Sequence, residues 1–371
     1  MSRWRRFRAA VDWPLILTIL AICAIGLLNL YSAVHGSKHQ HKFDSQVQWM
    51  VVGVIAFAIA TIVDYRAMVR LAWLGLGIAI ALLILARVQG ATGGEDRHGS
   101  TFRWLFLGPF RMQPSELVKV MMILVLARMF QDTETSSRYE PRALAIRLAL
   151  IAVPVLLIAK QPDLGTATLI ILVVLSVGFL AMPNVWPVVH VTLAGLLAIP
   201  VIWETMHDYQ QKRVLGFIDD CSVTPNLAHC WHTQQSIFAV GSGKVWGKGY
   251  LDGTQNQFNF VPEHWTDFPY SVWAEEWGFA GSVFLLAIYV FLLVWIINVA
   301  LSARDRVGAV ICIGVAAMTF WHVVVNVAMV LGVAPVVGVT LPFISYGGSS
   351  LVTFFVAMGL VANVSLRKHG Y

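Results

Sequence analysis

Apolar runs long enough to cross a bilayer, at about 20 residues each, recur along this whole chain. Only 12% of its 371 residues are charged, whereas a soluble globular chain carries about a quarter. We therefore predict an all-α, polytopic membrane protein with about ten transmembrane helices, built as a single domain over residues 1–371. The predicted spans lie at 14–34, 47–63, 68–86, 115–130, 143–159, 164–182, 187–206, 269–298, 307–332 and 342–366.

The opening segment MSRWRRFR indicates the orientation of the chain. Its arginines alternate with Trp4 and Phe7, which is typical of an anchor in an anionic cytoplasmic leaflet. Ten spans return the C-terminus to the same side. The polar, turn-rich segments then fall in loops three, five, seven and nine, and the largest is 207–268, between spans seven and eight. We therefore place the functional residues on the outer, non-cytoplasmic face of the membrane. The net charge of +6 fits this anchoring, and no nucleic-acid partner is predicted.

Two short motifs, QPSELVK at 113–119 and QPDLGTA at 161–167, share one arrangement. In each, Gln-Pro ends a loop, and Ser115 or Asp163 is placed to cap the N-terminus of an apolar helix. Capping alone would explain both residues. Lys160, just before the second motif, also allows a charged pair with Asp163.

Glu116 and Lys119 are three residues apart and so share one face of the predicted helix. Lys119 falls about one turn into the membrane, where an unpaired charge costs roughly 2.5–3.5 kcal/mol or more. A structural ion pair would satisfy both residues. We favour a substrate cavity, because Arg103 and Arg111 precede this helix and clustered cations suit a phosphate or diphosphate group.

The glycine-rich segment AVGSGKVWGKGYLDG at 239–253 does not fit a nucleotide-binding loop. Phe238 stands where a P-loop needs its first glycine, and Val245 replaces the Ser or Thr that should follow the lysine. A flexible loop that offers Lys244 and Lys248 to an anion is the functional alternative to a plain turn.

Acidic residues cluster where span eight begins. Asp267 lies just before the span, and a carboxylate at a helix N-terminus is often only a cap. Glu275 and Glu276 lie one to two turns further in, where ionisable groups usually have a function. A carboxylate at this lipid–water boundary, facing several cations, can serve as a general base toward a hydroxyl.

Cys221 and Cys230 both fall in the long outer loop. If the membrane is a bacterial inner membrane, this loop lies in an oxidising compartment, which favours a disulfide between them. A metal site formed with His229 and His232 is the alternative.

These segments closely resemble those of the SEDS family of membrane proteins, in the same order along nearly the whole chain. The resemblance is greater to elongation-type members than to division-type members. The sequence departs from the family at His264 and Trp265, and at Lys244 and Trp246. The segments that carry the resemblance are RWLFLGPFRMQPSELVK, QPDLGTA, MHDYQQKRV, GKGYLDGTQNQFNFVPEHWTDF, AEEWGFAG and LPFISYGGSS.

The resemblance implies a peptidoglycan glycosyltransferase that polymerises lipid II on the outer face of the membrane during cell elongation and cell-shape maintenance. The family's essential acid falls on Asp267, beside Glu263 and Thr266. Its acidic and basic pair falls on Glu116 and Lys119.

In the implied mechanism, Asp267 deprotonates a sugar hydroxyl of the acceptor lipid II in a single inverting displacement. The undecaprenyl diphosphate on the growing glycan is the leaving group, held by cations or by a divalent ion (Mg or Mn) near Asp267. Further candidates for substrate contacts are Lys160, Asp163 and, within LPFISYGGSS, Ser345. The implied partner is a class B penicillin-binding protein, a transpeptidase.

Other functions stay open at this point. A lipid II flippase also explains charges within spans, although the inner half of these spans offers few charges for a path to the cytoplasm. A non-catalytic scaffold for cell-wall enzymes would not need Asp267. Within the family, a division- or sporulation-type polymerase is the alternative.

Overall fold

The structure is a computed structural model, and it describes residues 12–92, 103–107, 110–131, 141–161, 163–182, 185–198, 200, 203–204, 211 and 228–368. Within these residues the chain forms a bundle of helices and one small sheet. The helices are α1 (Trp13–Val34), α2 (His41–Ile62), α3 (Tyr65–Arg70), α4 (Ala72–Thr92), α5 (Pro114–Gln131), α6 (Pro141–Ala159), α7 (Leu164–Ala181), α8 (Trp186–Leu197), α9 (Ala228–Ser242), α10 (Thr254–Gln257), α11 (Pro269–Leu301), α12 (Arg306–Val330) and α13 (Gly348–Arg367). The strands are β1 (Leu105–Leu107) and β2 (Phe110–Met112).

Seven of the described helices, namely α1, α2, α4, α7, α11, α12 and α13, are long and apolar enough to cross a membrane. The prediction of a polytopic helical membrane protein is thereby confirmed. Shorter apolar stretches lie at Ala149–Ala159 and Trp186–Leu197, and α5 carries three charged side chains, Glu116, Lys119 and Arg128. The count of ten spans and the side of each loop stay predictions.

Two predicted boundaries differ from those of the described helices. The seventh span was predicted over 187–206, and α8 ends at Leu197, although Pro200, Trp203 and Glu204 are again helical. The tenth span was predicted from 342, but α13 begins at Gly348. The intervening segment runs irregularly and includes Phe343 with a positive φ of 63°. Such backbone is tolerated at membrane depth where protein buries it, and Phe343 is buried.

One small sheet among the described residues departs from the predicted all-α fold, which is otherwise mostly helical. β1 and β2 pair antiparallel, with Phe106 opposite Arg111 and Leu105 opposite Met112. The sequence contains a reason, since apolar and aromatic residues flank a Gly-Pro pair in FLGPF, and such punctuation favours a hairpin.

Part of the predicted outer loop 207–268 is helical. α9 packs against α11 and α12, and Ser236 Oγ donates to the Val330 carbonyl at 2.9 Å. The C-terminal part of this loop is therefore built into the bundle.

α12 lies at the centre of the bundle, packed against α5, α7, α11 and α13. Most of α12 is buried, whereas few side chains of α2 and α4 are buried, and many of their exposed side chains are apolar. In a membrane, those exposed apolar faces would meet lipid, and α12 can carry polar side chains because protein surrounds it.

α11 is kinked at Gly278, whose backbone angles are φ 65° and ψ −161°. The segment 243–249 fills the break. The amide of Lys248 donates to the Glu275 carbonyl at 3.0 Å, and the Phe279 amide donates back to the Lys244 carbonyl at 2.9 Å. The loop thus satisfies backbone groups that the kink removes from the helix. This segment is fixed by backbone pairing to α11, so its prediction as a flexible loop is wrong.

Candidate active site

The two Gln-Pro motifs meet where α5 and α7 begin. Gln113 Nε2 donates to Asp163 Oδ2 at 3.0 Å, and the Thr166 amide donates to Asp163 Oδ1 at 3.3 Å. Asp163 is therefore the N-cap of α7, as predicted. Arg103 lies beside it, with Nη1 3.9 Å from Asp163 Oδ1. A buried carboxylate and a half-buried guanidinium thus lie together at this point.

Two predictions for this region are corrected. Ser115 does not cap α5, because the helix begins at Pro114 and Ser115 lies within its first turn. Proline suits that first position, since its missing amide proton would have no helical partner there. The cation paired with Asp163 is Arg103, whereas Lys160, the predicted partner, has an exposed side chain.

Two further predicted substrate cations also have exposed side chains. Arg111 is exposed, and its guanidinium carbon lies 5.4 Å from the ring centroid of Phe106 across the hairpin. Lys244 is exposed as well, on a backbone with a φ of 48°. Both side chains are accessible to a ligand. Their predicted substrate contacts stay predictions.

Glu116 and Lys119 form a buried ion pair, with Lys119 Nζ 2.9 Å from Glu116 Oε1. Their residues are 6% and 2% exposed, respectively, so protein rather than water compensates both charges. The same ammonium group lies 2.9 Å from Nε2 of His322, on α12. Among the described residues, no donor reaches Glu116 Oε2. The pair is thus bound on one side and retains an unused acceptor.

Segment 336–340 connects this pair to Asp267. Nδ1 of His322 lies 2.9 Å from the Thr340 carbonyl oxygen. One turn further along α12, Asn326 Nδ2 donates to the Val339 carbonyl at 2.7 Å and to the Asp267 backbone carbonyl at 2.9 Å. A Cβ atom at Gly338 would lie only 3.4 Å from Asp267 Oδ2. Asp267 therefore contacts this segment directly, and the Glu116–Lys119 pair is linked to it through His322.

Asp267 lies at the end of a tight turn whose backbone groups converge on Glu263. The Glu263 carbonyl accepts from the amides of Thr266 and Asp267, each at 3.0 Å. Thr266 Oγ1 also lies 3.2 Å from Glu263 Oε2. Asp267 is half-buried and Glu263 is exposed, so both predicted acids are placed at the edge of the protein. The structure brings Glu263, Thr266 and Asp267 together, as the motif implied.

His264 holds this turn to the end of α1. Its ring is buried, with Nδ1 2.6 Å from the Val261 carbonyl oxygen and Nε2 2.8 Å from that of Ala33. Burial lowers the pKa of the imidazole, against the opposing effect of these two carbonyl contacts. His264 thus has a local structural role, between Glu263 and Thr266 in the chain.

Glu275 belongs to a separate and fully bonded network. Lys248 Nζ lies 2.7 Å from Glu275 Oε1. The amides of Gln255 and Asn256 donate to its two oxygens at 2.9 and 3.2 Å, and the Thr254 hydroxyl lies 3.3 Å away. These donors belong to the first turn of α10 and to the 243–249 segment. Lys248 therefore neutralises a buried acid of its own chain, which leaves its predicted role in substrate binding without support.

Glu276, the next residue, is also buried. Its Oε1 accepts a hydrogen bond from Ser32 of α1. This contact joins α1 to the N-terminal part of α11. Glu275 is fully bonded, which leaves the predicted general-base chemistry there without support, whereas Glu276 Oε2 has no hydrogen-bond partner among the described residues.

Ser345 is also engaged within the protein. It is 4% exposed, its Oγ accepts from the Leu341 amide at 2.7 Å, and its carbonyl accepts from Gln46 Nε2 at 3.1 Å. These bonds hold the irregular segment before α13. The predicted substrate contact of Ser345 therefore has no support from its surroundings.

His322 and Asn326 were missed by the sequence reasoning. The signal was available, because both are polar residues in the middle of an apolar span, where polar side chains usually have a function. Their spacing of four also places them on one face of α12. What the sequence did not indicate is that this face meets both Lys119 and segment 336–340.

No group of three or more His, Cys, Asp or Glu side chains within the described ranges is arranged to hold a metal ion. A divalent ion at Asp267 would therefore depend on substrate oxygens and water for most of its ligands, as Mg²⁺ often does. The proposed disulfide lies outside what the structure describes, since Cys221 and the side chain of Cys230 are not among the described residues. The alternative metal site at His229 and His232 depends on the same segment.

A bundle of long apolar helices, in which a buried acid–lysine pair is linked through His322 and segment 336–340 to a half-buried aspartate, is typical of a polytopic membrane protein with a polar site. The family described as cell cycle protein FtsW/RodA/SpoVE matches residues 13–370 of this chain. The chain belongs to this family, the SEDS family. The predicted resemblance is therefore confirmed.

Similar proteins agree with this assignment. The peptidoglycan glycosyltransferase MrdB of Escherichia coli K12 is 35% identical over 360 residues, which cover 96% of this chain and 94% of MrdB. Among solved structures, a chain from work on the structural coordination of polymerization and crosslinking by a peptidoglycan synthase complex superposes with a TM-score of 0.79 and 30% identity, covering 97% of this chain and 99% of that one. An aspartate-to-alanine variant of the rod shape determining protein RodA from Thermus thermophilus superposes with a TM-score of 0.70 and 29% identity, with coverage of 97% and 99%.

Proposed function

We propose that this chain is an elongation-type peptidoglycan glycosyltransferase that polymerises lipid II at the site beside Asp267. The observation that carries the proposal is that Asp267 contacts segment 336–340 and that the Glu116–Lys119 pair is linked to the same segment through His322. The acid is accessible at the edge of the protein, and the linked lysine is a buried cation. Glycosyl transfer from a diphosphate needs this combination of a base and a positive charge.

The reaction is a single inverting displacement. Asp267 accepts the proton of an acceptor lipid II hydroxyl, and the hydroxyl oxygen forms a bond to the anomeric carbon of the growing glycan. The bond from that carbon to the diphosphate oxygen breaks, and undecaprenyl diphosphate leaves with the electron pair. No step in this scheme requires a resident metal ion.

Cations near the leaving group would stabilise its developing negative charge. Lys119 has Glu116 and His322 as acceptors and can still donate one hydrogen bond, since an ammonium group has three donors. Arg103 is half-buried beside Asp163. We assign the diphosphate to these two cations, and assign the exposed Arg111, Lys160 and Lys244 to contacts with the outer parts of the substrate.

Replacement of Asp267 by Asn tests the base. The change keeps the shape and removes the basic oxygen, so polymerisation of purified lipid II should fall by about 10²-fold or more. The matched control is Asp44→Asn, an exposed acid in the first turn of α2, which should retain activity. An Asp267→Asn protein with more than about a tenth of the wild-type rate would refute the general-base role.

The same assay separates a polymerase from a flippase. Glycan formation by the purified protein in detergent micelles requires glycosyltransferase activity. Transport cannot account for it, because a micelle has no second leaflet into which lipid II could be moved. A protein that forms no glycan there, but moves lipid II across vesicle membranes, would favour the flippase.

The proposed setting is a multi-pass protein of the bacterial cytoplasmic membrane, with ten spans in one domain over 1–371 and the site on the periplasmic face. We also propose a class B penicillin-binding protein as its partner. A similar chain was solved in work on a synthase complex that coordinates polymerization with crosslinking, and a polymerase alone leaves glycans uncrosslinked. Copurification of such a transpeptidase with this chain, dependent on the partner's membrane helix, is the expected result.

A further inference from the structure

We propose that His322 is a positioning residue, which holds Lys119 in a fixed place relative to segment 336–340 and so relative to Asp267. The inference deepens the proposed glycosyltransferase function and rests on it. It assigns a role to a buried polar group that the reaction scheme itself does not use.

The contacts of His322 fix its tautomer. An ammonium group can only donate hydrogen bonds, so Nε2 of His322, 2.9 Å from Lys119 Nζ, accepts. Nδ1 therefore carries the proton and donates to the Thr340 carbonyl oxygen at 2.9 Å. Only the neutral ring protonated at Nδ1 makes both contacts. The side chain is 1% exposed, so water does not compete for either nitrogen.

The ring is held in place by its apolar neighbours as well. Phe354 of α13 meets it edge to face, with centroids 4.9 Å apart and an interplanar angle of 87°. The Lys119 ammonium lies 5.9 Å from the centroid of the same phenyl ring. A histidine locked in this way transmits the position of one partner to the other, because packed side chains do not deform continuously.

Asn326 completes the arrangement one turn along the same face of α12. It donates to the Val339 carbonyl and to the Asp267 carbonyl. The neighbouring carbonyls of Val339 and Thr340 are thus held by two side chains of one helix. Through this clamp, α12 sets the separation between the cation at Lys119 and the base at Asp267, and a misplacement of about 1 Å can cost about 10²-fold in rate.

The test compares three replacements of His322 in lipid II polymerisation by the purified protein. His322→Gln can accept from Lys119 and donate to Thr340 through one amide, and should retain most of the activity. His322→Leu keeps bulk but loses both hydrogen bonds, and should lose about 10–10²-fold. His322→Asn keeps the amide on a shorter side chain that does not span both partners, and should lose activity as Leu does. The control is His190→Leu, an exposed histidine of α8, which should behave as wild type.

A double-variant cycle shows whether His322 acts through Lys119. The double variant Lys119→Met, His322→Leu should lose much less activity than the product of the two single fold-losses, because both changes remove one shared arrangement. Independent, multiplicative losses would overturn the inference, as would equal activity of the Gln, Asn and Leu variants. If His322→Leu does not fold, as judged by size exclusion and thermal unfolding, the comparison of Gln with Asn decides. Failure of the wild-type protein to polymerise lipid II would overturn the proposed function itself.

Discussion

Two buried glutamates in this molecule each pair with a lysine, and they differ in what else reaches them. Glu275 pairs with Lys248 at 2.7 Å and accepts further hydrogen bonds from the start of α10. Glu116 pairs with Lys119 at 2.9 Å, but its second oxygen has no donor among the described residues. The first site is complete, and the second is not.

The difference teaches how burial should be interpreted in this protein. Burying a polar atom without a partner costs about 1–3 kcal/mol, so an incomplete site persists only where something compensates for that cost. At Glu275 the donors come from the chain itself, which indicates a structural role. At Glu116 and Lys119 a substrate would supply the missing partner, which is consistent with the proposed cavity.

Within this comparison, the largest expected effect comes from removing one lysine at a time. Lys119→Met should lower polymerisation by about 10–10²-fold, because a hydrogen bond to a charged group contributes about 1.5–3 kcal/mol. Lys248→Met should instead lower the unfolding temperature, with activity per folded molecule largely retained. Lipid II polymerisation and thermal unfolding of both variants, measured side by side, check this. If Lys119→Met lowered only the unfolding temperature and Lys248→Met lowered only the activity, the roles assigned to the two ion pairs would have to be exchanged.

Double replacements sharpen the same contrast. At the structural pair, Glu275→Gln with Lys248→Met should recover part of the stability that each single change loses, since removing one partner of a buried pair leaves an uncompensated charge. At the other pair, Glu116→Gln with Lys119→Met should recover stability but not activity. Recovery of polymerisation in this second double variant would show that the Glu116–Lys119 pair is structural too.

The kink of α11 tests whether the Glu275 region is as rigid as its hydrogen bonds indicate. Gly278 has a φ of 65°, and an added Cβ would overlap the amide nitrogen of Gly247. Gly278→Ala should therefore destabilise the protein by about 1–3 kcal/mol, measured as a lower unfolding temperature. Gly241→Ala is the matched control, because a Cβ at Gly241 meets nothing within 4 Å. Equal effects of the two changes would contradict a tightly held kink.

The smallest expected effect concerns a third acid, Asp305, which is only partly buried. Burial raises the pKa of its carboxyl, but hydrogen bonds from the Gly308 amide, Arg66 and Tyr65 lower it by more, so the net pKa is below the ordinary value. Its stabilising contribution is therefore full above the ordinary aspartate pKa and is lost as the pH falls through the lowered one. We expect less than about 1 kcal/mol, because Arg66 is half-exposed and the pair is screened.

Thermal unfolding between neutral pH and about pH 3 measures this contribution. Asp305→Asn retains a capping side chain for α12 but should flatten the acid dependence. If the unfolding temperature of that variant depended on pH as in the wild type, a group other than Asp305 would be responsible for the acid dependence.

The sequence by itself determined the class of the protein and most of its helices. Runs of apolar residues predicted α1, α7 and α12 nearly to their ends, because a membrane span must be long and continuous. The N-cap at Asp163 was also predictable, since capping depends on a residue and its next three neighbours. The three-residue spacing predicted the Glu116–Lys119 pair for the same reason: both residues lie on one turn of one helix.

Only the tertiary structure decided which polar residues are hydrogen-bond or ion-pair partners across the bundle. Nothing local distinguishes Lys248, bound to Glu275, from a lysine that awaits an anion, because the two residues are 27 positions apart. Nor does the sequence show that His322 lies between Lys119 and Thr340. Such contacts depend on how helices distant in sequence pack, and a buried charge takes its partner from whichever neighbour that packing brings within hydrogen-bond distance.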